Sequence, residues 1–349
     1  MSDMDSTVVF GTGGWLGVIG EDFTDENLLR VADAFVRYLS EKEKSESHVV
    51  AVGYDGRKDS RHCAELFSGT LVSGGIKVLL SDSVVPTPVL TFATKHLHCV
   101  AGVMITAGDH PSKYNGVKFK ASYGGPLMTE EIRKIGAHLL HETLSNRRNM
   151  KNYGNLPLMN FLPDYLKHLE SMVDFSAFRS FAAEPGNRAS ILIDSMGGAG
   201  QTILEDILVR CGWRAQTLFG APEPTFYDRL PEATEKNLEP LKYNVSVTDA
   251  ALGLATDGDA SRCGIVFDKG EWVSANEAML MLKWHLYENK KWGNGTLGWD
   301  ENGGFRHSKH LAEPDGILTG LFFAEMLAMT GKSLREIGLL FREKTARIY

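Results

Sequence analysis

The chain has 349 residues, 43% hydrophobic and 23% charged, the make-up of a globular protein with real cores in two or three domains. Its net charge of −7, with no long basic run, argues against nucleic acid or an anionic membrane surface as the main partner. Four scattered cysteines, Cys63, Cys99, Cys211 and Cys263, form no CxxC pair; they read as reduced thiols in a cytoplasmic protein, without a structural zinc site.

The opening stretch, MSDMDSTVVF, is acidic and has no apolar region of the signal-peptide kind, and nowhere is there an apolar run of about eighteen residues that would span a bilayer. Val8-Val9-Phe10 reads as a short strand before a glycine-rich turn, Gly11 to Gly17. Thr24-Asp25 caps a helix that carries Leu28, Leu29, Ala32, Phe35, Val36 and Leu39. Val49 to Tyr54 is a buried strand ending at Asp55-Gly56-Arg57; Ser60 caps the next helix, Gly74-Gly75 stops it, and Ile76 to Leu80 is another strand. Pro88 suits the first turn of a helix begun at Thr87.

The stretch Gly102 to Lys120 organises this region. A buried strand, Gly102 to Ile105, opens into the polar loop Thr106-Ala107-Gly108-Asp109-His110-Pro111, and Asn115-Gly116 reads as a turn pair. Such a loop at the carboxyl edge of a sheet is where α/β enzymes present reactive groups. A helix from about Thr129 to His141 completes a β-α-β-α-β rhythm, which predicts a parallel sheet layered by helices.

Asn146 to Pro157 reads as a boundary loop. A second α/β unit follows, with a helix near Pro163 to Met172, the strand Ile191 to Ile193 ending at Asp194 and a glycine loop, a helix from about Gln201 to Cys211, and the strand Leu252 to Ala255. A hairpin around Asp268-Lys269-Gly270 and a helix from about Asn276 to Glu288 open a third unit, which breaks off at Lys290 to Gly295. The loop Trp299 to Gly304, a helix near Ile317 to Thr330 and a last helix from Ser333 remain.

Several clusters could carry chemistry. Asp257-Gly258-Asp259 after a strand could point two carboxylates at one Mg²⁺, or could simply be a turn rich in Asp and Gly. Asp300-Glu301-Asn302 could hold sugar hydroxyls, or form an ordinary loop. Asp109 and His110 could be an acid/base pair or solvated loop residues. Arg57 and Lys118 could meet phosphate.

Taken in order, FGTGGWLG, VGYDGRKDS, VPTPVLTFA, GVMITAGDHPSKYNGVKF, IDSMGGAG, ATDGDASR, WDENGG and DGILTGL resemble the alpha-D-phosphohexomutase superfamily over nearly the whole chain. That family includes phosphoglucomutase, phosphomannomutase and phosphoglucosamine mutase. The resemblance implies an α/β fold of two three-layer phosphohexomutase domains, 1–150 (central loop 106–118) and 151–256, plus an incomplete third, 257–349, with the C-terminal fourth domain absent. It also implies a family chemistry in which phosphoryl moves through a phosphoserine, with Mg²⁺ held by that group and three Asp residues.

This chain departs from the pattern. Where the family reads TASHNP, Gly108 stands at the phosphoserine position, and glycine offers no oxygen to phosphorylate. Leu16 replaces an active-site arginine of the first loop. In the metal loop Asp257, Asp259 and Ser261 stand where the family has three carboxylates, so Mg²⁺ is expected to bind weakly at most and no cofactor is assigned. Asp55, Arg57, Asn115, Lys118 and Arg262 match the family; Asp300, Glu301 and Asn302 match its sugar loop loosely, and His310 aligns with a family position downstream. For Arg57 and Asn115 a structural role in an ion pair and a turn competes with substrate binding.

The reading that follows is a pseudoenzyme, binding a partner protein or a phosphosugar without converting it. The alternative is an enzyme with altered chemistry at Asp109 and His110. A third reading is a regulatory or structural subunit that associates with itself or a partner over surface the shortened domains expose.

Overall fold

Alternation of side chains builds the first sheet. The computed structural model describes residues 8–42, 48–139, 156–186, 189–292 and 297–346, which form two compact units, 1–107 with 111–163, and 108–110 with 164–349. In chain order the first unit contains β1 (Gly14–Val18), α1 (Asp25–Glu41), β2 (Val49–Tyr54), α2 (Ser60–Ser73), β3 (Lys77–Ser81), α3 (Thr87–His96), β4 (Ala101–Ile105), β5 (Tyr114–Ala121), β6 (Gly125–Pro126), α4 (Thr129–Leu139) and β7 (Leu158–Met159). Its sheet runs β1-β5-β4-β2-β3-β7, with β6 beside β5.

Every second residue of the inner strands faces α1 and α2. Val50, Val52 and Tyr54, Val103 and Ile105, and Val117 and Phe119 meet Leu28, Phe35 and Leu39 of α1 and Phe67 and Leu71 of α2 in one core. Phe35 lies 4.6 Å from Phe119 and 6.2 Å from Phe67, ring to ring. Each buried ring of this kind stabilises by roughly 1.5–3 kcal/mol. The opposite face of β2, β4 and β5 is covered by α3. Helix α1 starts where expected: Thr24 accepts the Asn27 N–H at 3.3 Å, and Asp25 and Glu26 fall in the first turn, where acids suit the helix dipole.

Three expectations about this unit are corrected. The strand lies at Gly14–Val18 rather than Val8–Phe10, where only Phe10 forms an isolated bridge, to Trp15. Trp15 decides this, because its indole is buried and stacked 4.9 Å from Phe23. The sheet is mixed, not parallel. β2, β3, β4 and β7 run parallel through helical crossovers, but the short loop between β4 and β5 can only return antiparallel, and β1 pairs antiparallel with β5. Asn115-Gly116 is no turn: both residues lie inside β5. Gly116 is needed there for close approach, since a Cβ would come within 2.6 Å of the Trp15 carbonyl and 2.8 Å of the Thr106 carbonyl.

The second unit contains α5 (Leu162–Met172), α6 (Phe175–Ala183), β8 (Ser190–Asp194), α7 (Ile203–Arg210), β9 (Arg214–Leu218), α8 (Glu239–Val247), β10 (Leu252–Thr256), β11 (Cys263–Phe267), β12 (Glu271–Val273), α9 (Ala275–Trp284), β13 (Leu297–Trp299), β14 (Phe305–His307), α10 (Gly316–Thr330) and α11 (Leu334–Ala346). Its five-stranded sheet runs β12-β11-β10-β8-β9, with β9, β8 and β10 parallel and the β10-β11-β12 meander antiparallel. Leu241 and Val245 of α8 pack with Leu192, Ala255 and Val266 on one face. Helix α10 lies against β10, β11, α6 and α7 and is buried from Gly316 through Leu327, the signature of a core helix rather than a surface one. Residues beyond 257 thus supply two strands of this sheet and one of its covering helices.

The hairpin at Asp268–Gly270 joins β11 to β12, and the helix opened at Ala275 ends in one wide π-helical turn, His285–Asn289. The boundary loop expected at Asn146 to Pro157 falls mostly outside the described residues, as does 293–296. Among the described residues no helix is long and apolar enough to cross a membrane, and all four cysteines are free and buried.

Candidate functional site

Two polar clusters stand at the carboxyl edges of the sheets, one in each unit. In the first unit Asp55, at the end of β2, is fully buried. It accepts the Thr106 hydroxyl at 2.6 Å, the Ser60 hydroxyl at 2.8 Å, and the Arg57 N–H and Nε at 3.0 and 3.2 Å. Burial pushes the Asp55 carboxyl above its ordinary value, against the pull of Arg57 and these donors. Arg57 is buried too and donates Nη1 to the carbonyls of Pro111 and Tyr114 at 3.0 and 3.1 Å. Asn115, also buried, donates to the Ser60 hydroxyl at 2.9 Å and accepts the Gly116 N–H at 2.8 Å. This geometry is that of a clamp, holding the ends of the central loop by its own carbonyls. Lys118 stands half-buried on β5, and Leu16 on β1 is 37% exposed.

The loop tip, Gly108–His110, groups with the second unit. Asp109 places Oδ2 2.5 Å from Arg262 Nη1 and Oδ1 3.5 Å from His110 Nδ1. Gly108 has φ 61°, in the left-handed region, and its carbonyl packs against Gly258. The loop after β10 supplies Asp257, Asp259, Ser261 and Arg262. Asp257 and Asp259 are completely buried. Asp257 accepts the Arg262 N–H at 3.0 Å and the Ser261 hydroxyl at 3.2 Å, while Asp259 accepts the Ser261 N–H at 3.3 Å. Burial, with the Asp259 charge beside it, pushes the Asp257 carboxyl up to about 8.

The β13–β14 turn adds Asp300, which accepts the N–H groups of Asn302 and Gly304 at 3.0 and 2.9 Å and lies 3.5 Å from Arg262 Nε. Arg262 therefore has three carboxylates around it, Asp257 being the third at 3.7 Å. Burial works against its charge, but Asp257, Asp109 and Asp300 more than offset that and hold the guanidinium firmly cationic. Glu301 is exposed on the same turn and Asn302 half-buried. The buried His310 belongs to a different constellation: its Nε2 meets Asp315 at 2.8 Å and its Nδ1 meets His168 at 2.9 Å, while the Tyr165 hydroxyl donates to Asp315 at 2.8 Å.

The residues do not fit a Mg²⁺ ion. Mg²⁺ wants about six oxygens in a near-octahedral shell. Here protein donors already engage Asp257, Asp259 and Asp300, Ser261 offers a donating hydroxyl in place of a carboxylate, and a guanidinium stands among the acids. Among the described residues no three His, Cys, Asp or Glu side chains converge as a metal site would require.

Sequence reasoning missed two features of this edge. Arg229 grips Asp194 with both Nη atoms, at 2.8 and 2.6 Å, and stacks 4.3 Å over Phe219. Just before it, Phe226, Tyr227 and Asp228 are all left-handed, at φ 56, 55 and 59°. No glycine or asparagine marks that run; the only signal is Glu223 three residues ahead, whose carboxylate accepts the N–H groups of Thr225 and Tyr227.

Comparison with known proteins gives this geometry its relatives. The family description "Phosphoglucomutase/phosphomannomutase, alpha/beta/alpha domain I" matches residues 7–146, and that of domain II matches 163–270. A Methanosphaera stadtmanae protein assigned as a phosphoglucosamine mutase is 29% identical over 97% of this chain and 80% of its own. A Thermococcus kodakarensis phosphoglucomutase/phosphomannomutase is 26% identical over 94% of this chain and 79% of its own. A solved Thermus thermophilus protein assigned as a phosphomannomutase superposes with a TM-score of 0.86 at 31% identity, covering 96% of this chain and 83% of that one. The chain therefore belongs to the alpha-D-phosphohexomutase superfamily.

Proposed function

We propose that this chain is a non-catalytic phosphohexomutase relative, which uses the family's loops to recognise a phosphosugar or a protein partner rather than to transfer phosphoryl. One observation carries the reading. The residue at the phosphoserine position is Gly108, and the next side chain, Asp109, is spent on Arg262 at 2.5 Å. Phosphoryl transfer through a covalent intermediate needs an oxygen nucleophile with cations aimed at the incoming group. The loop offers no hydroxyl at that position, and the cation beside it is already paired. Leu16 and Ser261 remove two further charged groups, and such parts act as a unit, so restoring one is not expected to restore the rate.

The test is a coupled assay of glucose 1-phosphate to glucose 6-phosphate conversion, and of the mannose pair, with the sugar bisphosphate added. The expected result is a rate equal to the buffer blank; turnover that scales with protein concentration would overturn the reading. A second reading rests on the 3.5 Å approach of Asp109 to His110, which would suit an aspartyl phosphate formed with a histidine alongside. Phosphate trapping separates the two. Label that is present in the wild type and lost in Asp109→Asn would favour the second, and no label in either favours the first.

A further inference from the structure

We propose that Arg262 is the resident cation of the acidic cradle formed by Asp109, Asp257 and Asp300, so that the second unit holds these three loops together without a divalent ion. This deepens the non-catalytic reading but fails separately from it.

Three carboxylates from three chain segments converge on one guanidinium, at 2.5 Å from Asp109, 3.5 Å from Asp300 and 3.7 Å from Asp257. Left without a cation they would repel one another across a partly dry pocket, which costs more than the same charges would in water. A divalent ion is one way to neutralise such a cluster. A guanidinium is another: planar, always charged, and able to bond several carboxylates at once. Arg262 is anchored for this by its own backbone, since its N–H donates to Asp257 while its side chain reaches Asp109 and Asp300.

The surrounding residues reinforce the arrangement. The Ser261 hydroxyl donates to Asp257 Oδ2 and the Arg262 N–H to Oδ1, so both oxygens of Asp257 face protein donors. The Asn302 and Gly304 N–H groups hold Asp300, and the Cys263 N–H donates to the Gly303 carbonyl at 3.0 Å, fixing the hairpin turn beside the arginine. An incoming Mg²⁺, with metal–oxygen distances of about 2.0–2.1 Å, would have to displace the guanidinium and turn the serine hydroxyl away.

Mn²⁺ is the probe, its binding read by electron paramagnetic resonance. Alongside it, the full chain is melted in EDTA and in millimolar Mg²⁺. The wild type is expected to show no saturable Mn²⁺ site below millimolar concentration and the same melting temperature in both buffers. Arg262→Gln strips the cradle of its cation. It is expected to melt below the wild type in EDTA and to recover several degrees in Mg²⁺, because an ion that binds only the folded form stabilises it. Arg262→Lys keeps a charge and is expected to gain much less from Mg²⁺ than Arg262→Gln. A submillimolar Mn²⁺ site in the wild type overturns the proposal whether or not the variants fold, and so does an Arg262→Gln protein indifferent to Mg²⁺. Mutase turnover by a wild type that binds no Mn²⁺ would sink the non-catalytic reading and leave this one standing.

Discussion

At φ 61°, Gly108 occupies backbone space that an L-residue enters only at a cost of about 1–2 kcal/mol. At this place in the loop a side chain is disfavoured by the backbone itself. That shapes the outcome of placing a serine there, as the proposed reading invites. Gly108→Ser is expected to lower stability by about 1–2 kcal/mol, read from a denaturant melt, and to remain blank in the mutase assay. The new hydroxyl would stand beside an arginine still paired with Asp109, across from Ser261 rather than a carboxylate, with Leu16 unchanged. Turnover by Gly108→Ser would show that one missing oxygen was the whole lesion and that the other losses are incidental. Arg57 and Asn115 illustrate the opposite case. The resemblance offers both as binding residues, yet each is buried and engaged by the protein itself: Arg57 holds the Pro111 and Tyr114 carbonyls after Gly108, and Asn115 ties β5 to Ser60 at the start of α2. Matching residues at such positions preserve the shape of a loop whether or not the loop still reacts.

The elements legible in the sequence were those whose pattern is carried by their own residues. Leu28, Phe35 and Leu39 at helical spacing placed α1, and Thr24 marked its cap; the apolar runs at Val49–Tyr54 and Gly102 to Ile105 placed two central strands, the second beginning one residue earlier, at Ala101. What stayed hidden depends on partners distant in sequence. Asn115-Gly116 has the chemistry of a turn, and only the approach of the Trp15 and Thr106 carbonyls shows why a strand needs that glycine. Strand β9, Arg214–Leu218, alternates polar and apolar weakly because it lies at a sheet edge and is only half-buried. Helix α6 reads as a helix only once Phe178 and Phe181 are seen against Trp213, at 5.4 Å each. The candidate site divides the same way. The motif order singled out Asp109, Asp257, Ser261, Arg262 and Asp300 as candidates, but nothing in the sequence foretold that Arg262 would gather the three acids among them. His310 turned inward to Asp315 and His168 for the same reason: its partners lie 5 and 142 residues away.

In the molecule as a whole, residues 257–349 are tied into the second unit by burial and by one charged knot. Glu325 on α10 is completely buried and accepts Lys290 Nζ at 2.6 Å, the His285 ring at 2.7 Å and the Asp174 N–H at 2.6 Å. These donors come from the end of the π-helical turn, from within it, and from the junction of α5 with α6, so one carboxylate joins three segments. Burial works against ionising Glu325, but the His285 hydrogen bond and the Lys290 charge outweigh it and hold the carboxyl below its ordinary value. The sign of the pH effect follows. Folding depresses this pKa, so the stabilisation is complete above the unfolded value of about 4.3 and is lost as pH falls through the folded value. Glu325→Gln leaves Lys290 buried without its counterion and is expected to cost about 3–5 kcal/mol at neutral pH. As pH falls through that depressed value the wild-type carboxyl takes up a proton and becomes nearly equivalent to the amide, so the difference between the two proteins must shrink. Denaturant melts of both across a pH series, from neutral down to the most acid pH at which the wild type still folds, decide the matter: a gap that never narrows along the series would mean Glu325 holds these segments by shape and hydrogen bonding alone, not by its charge.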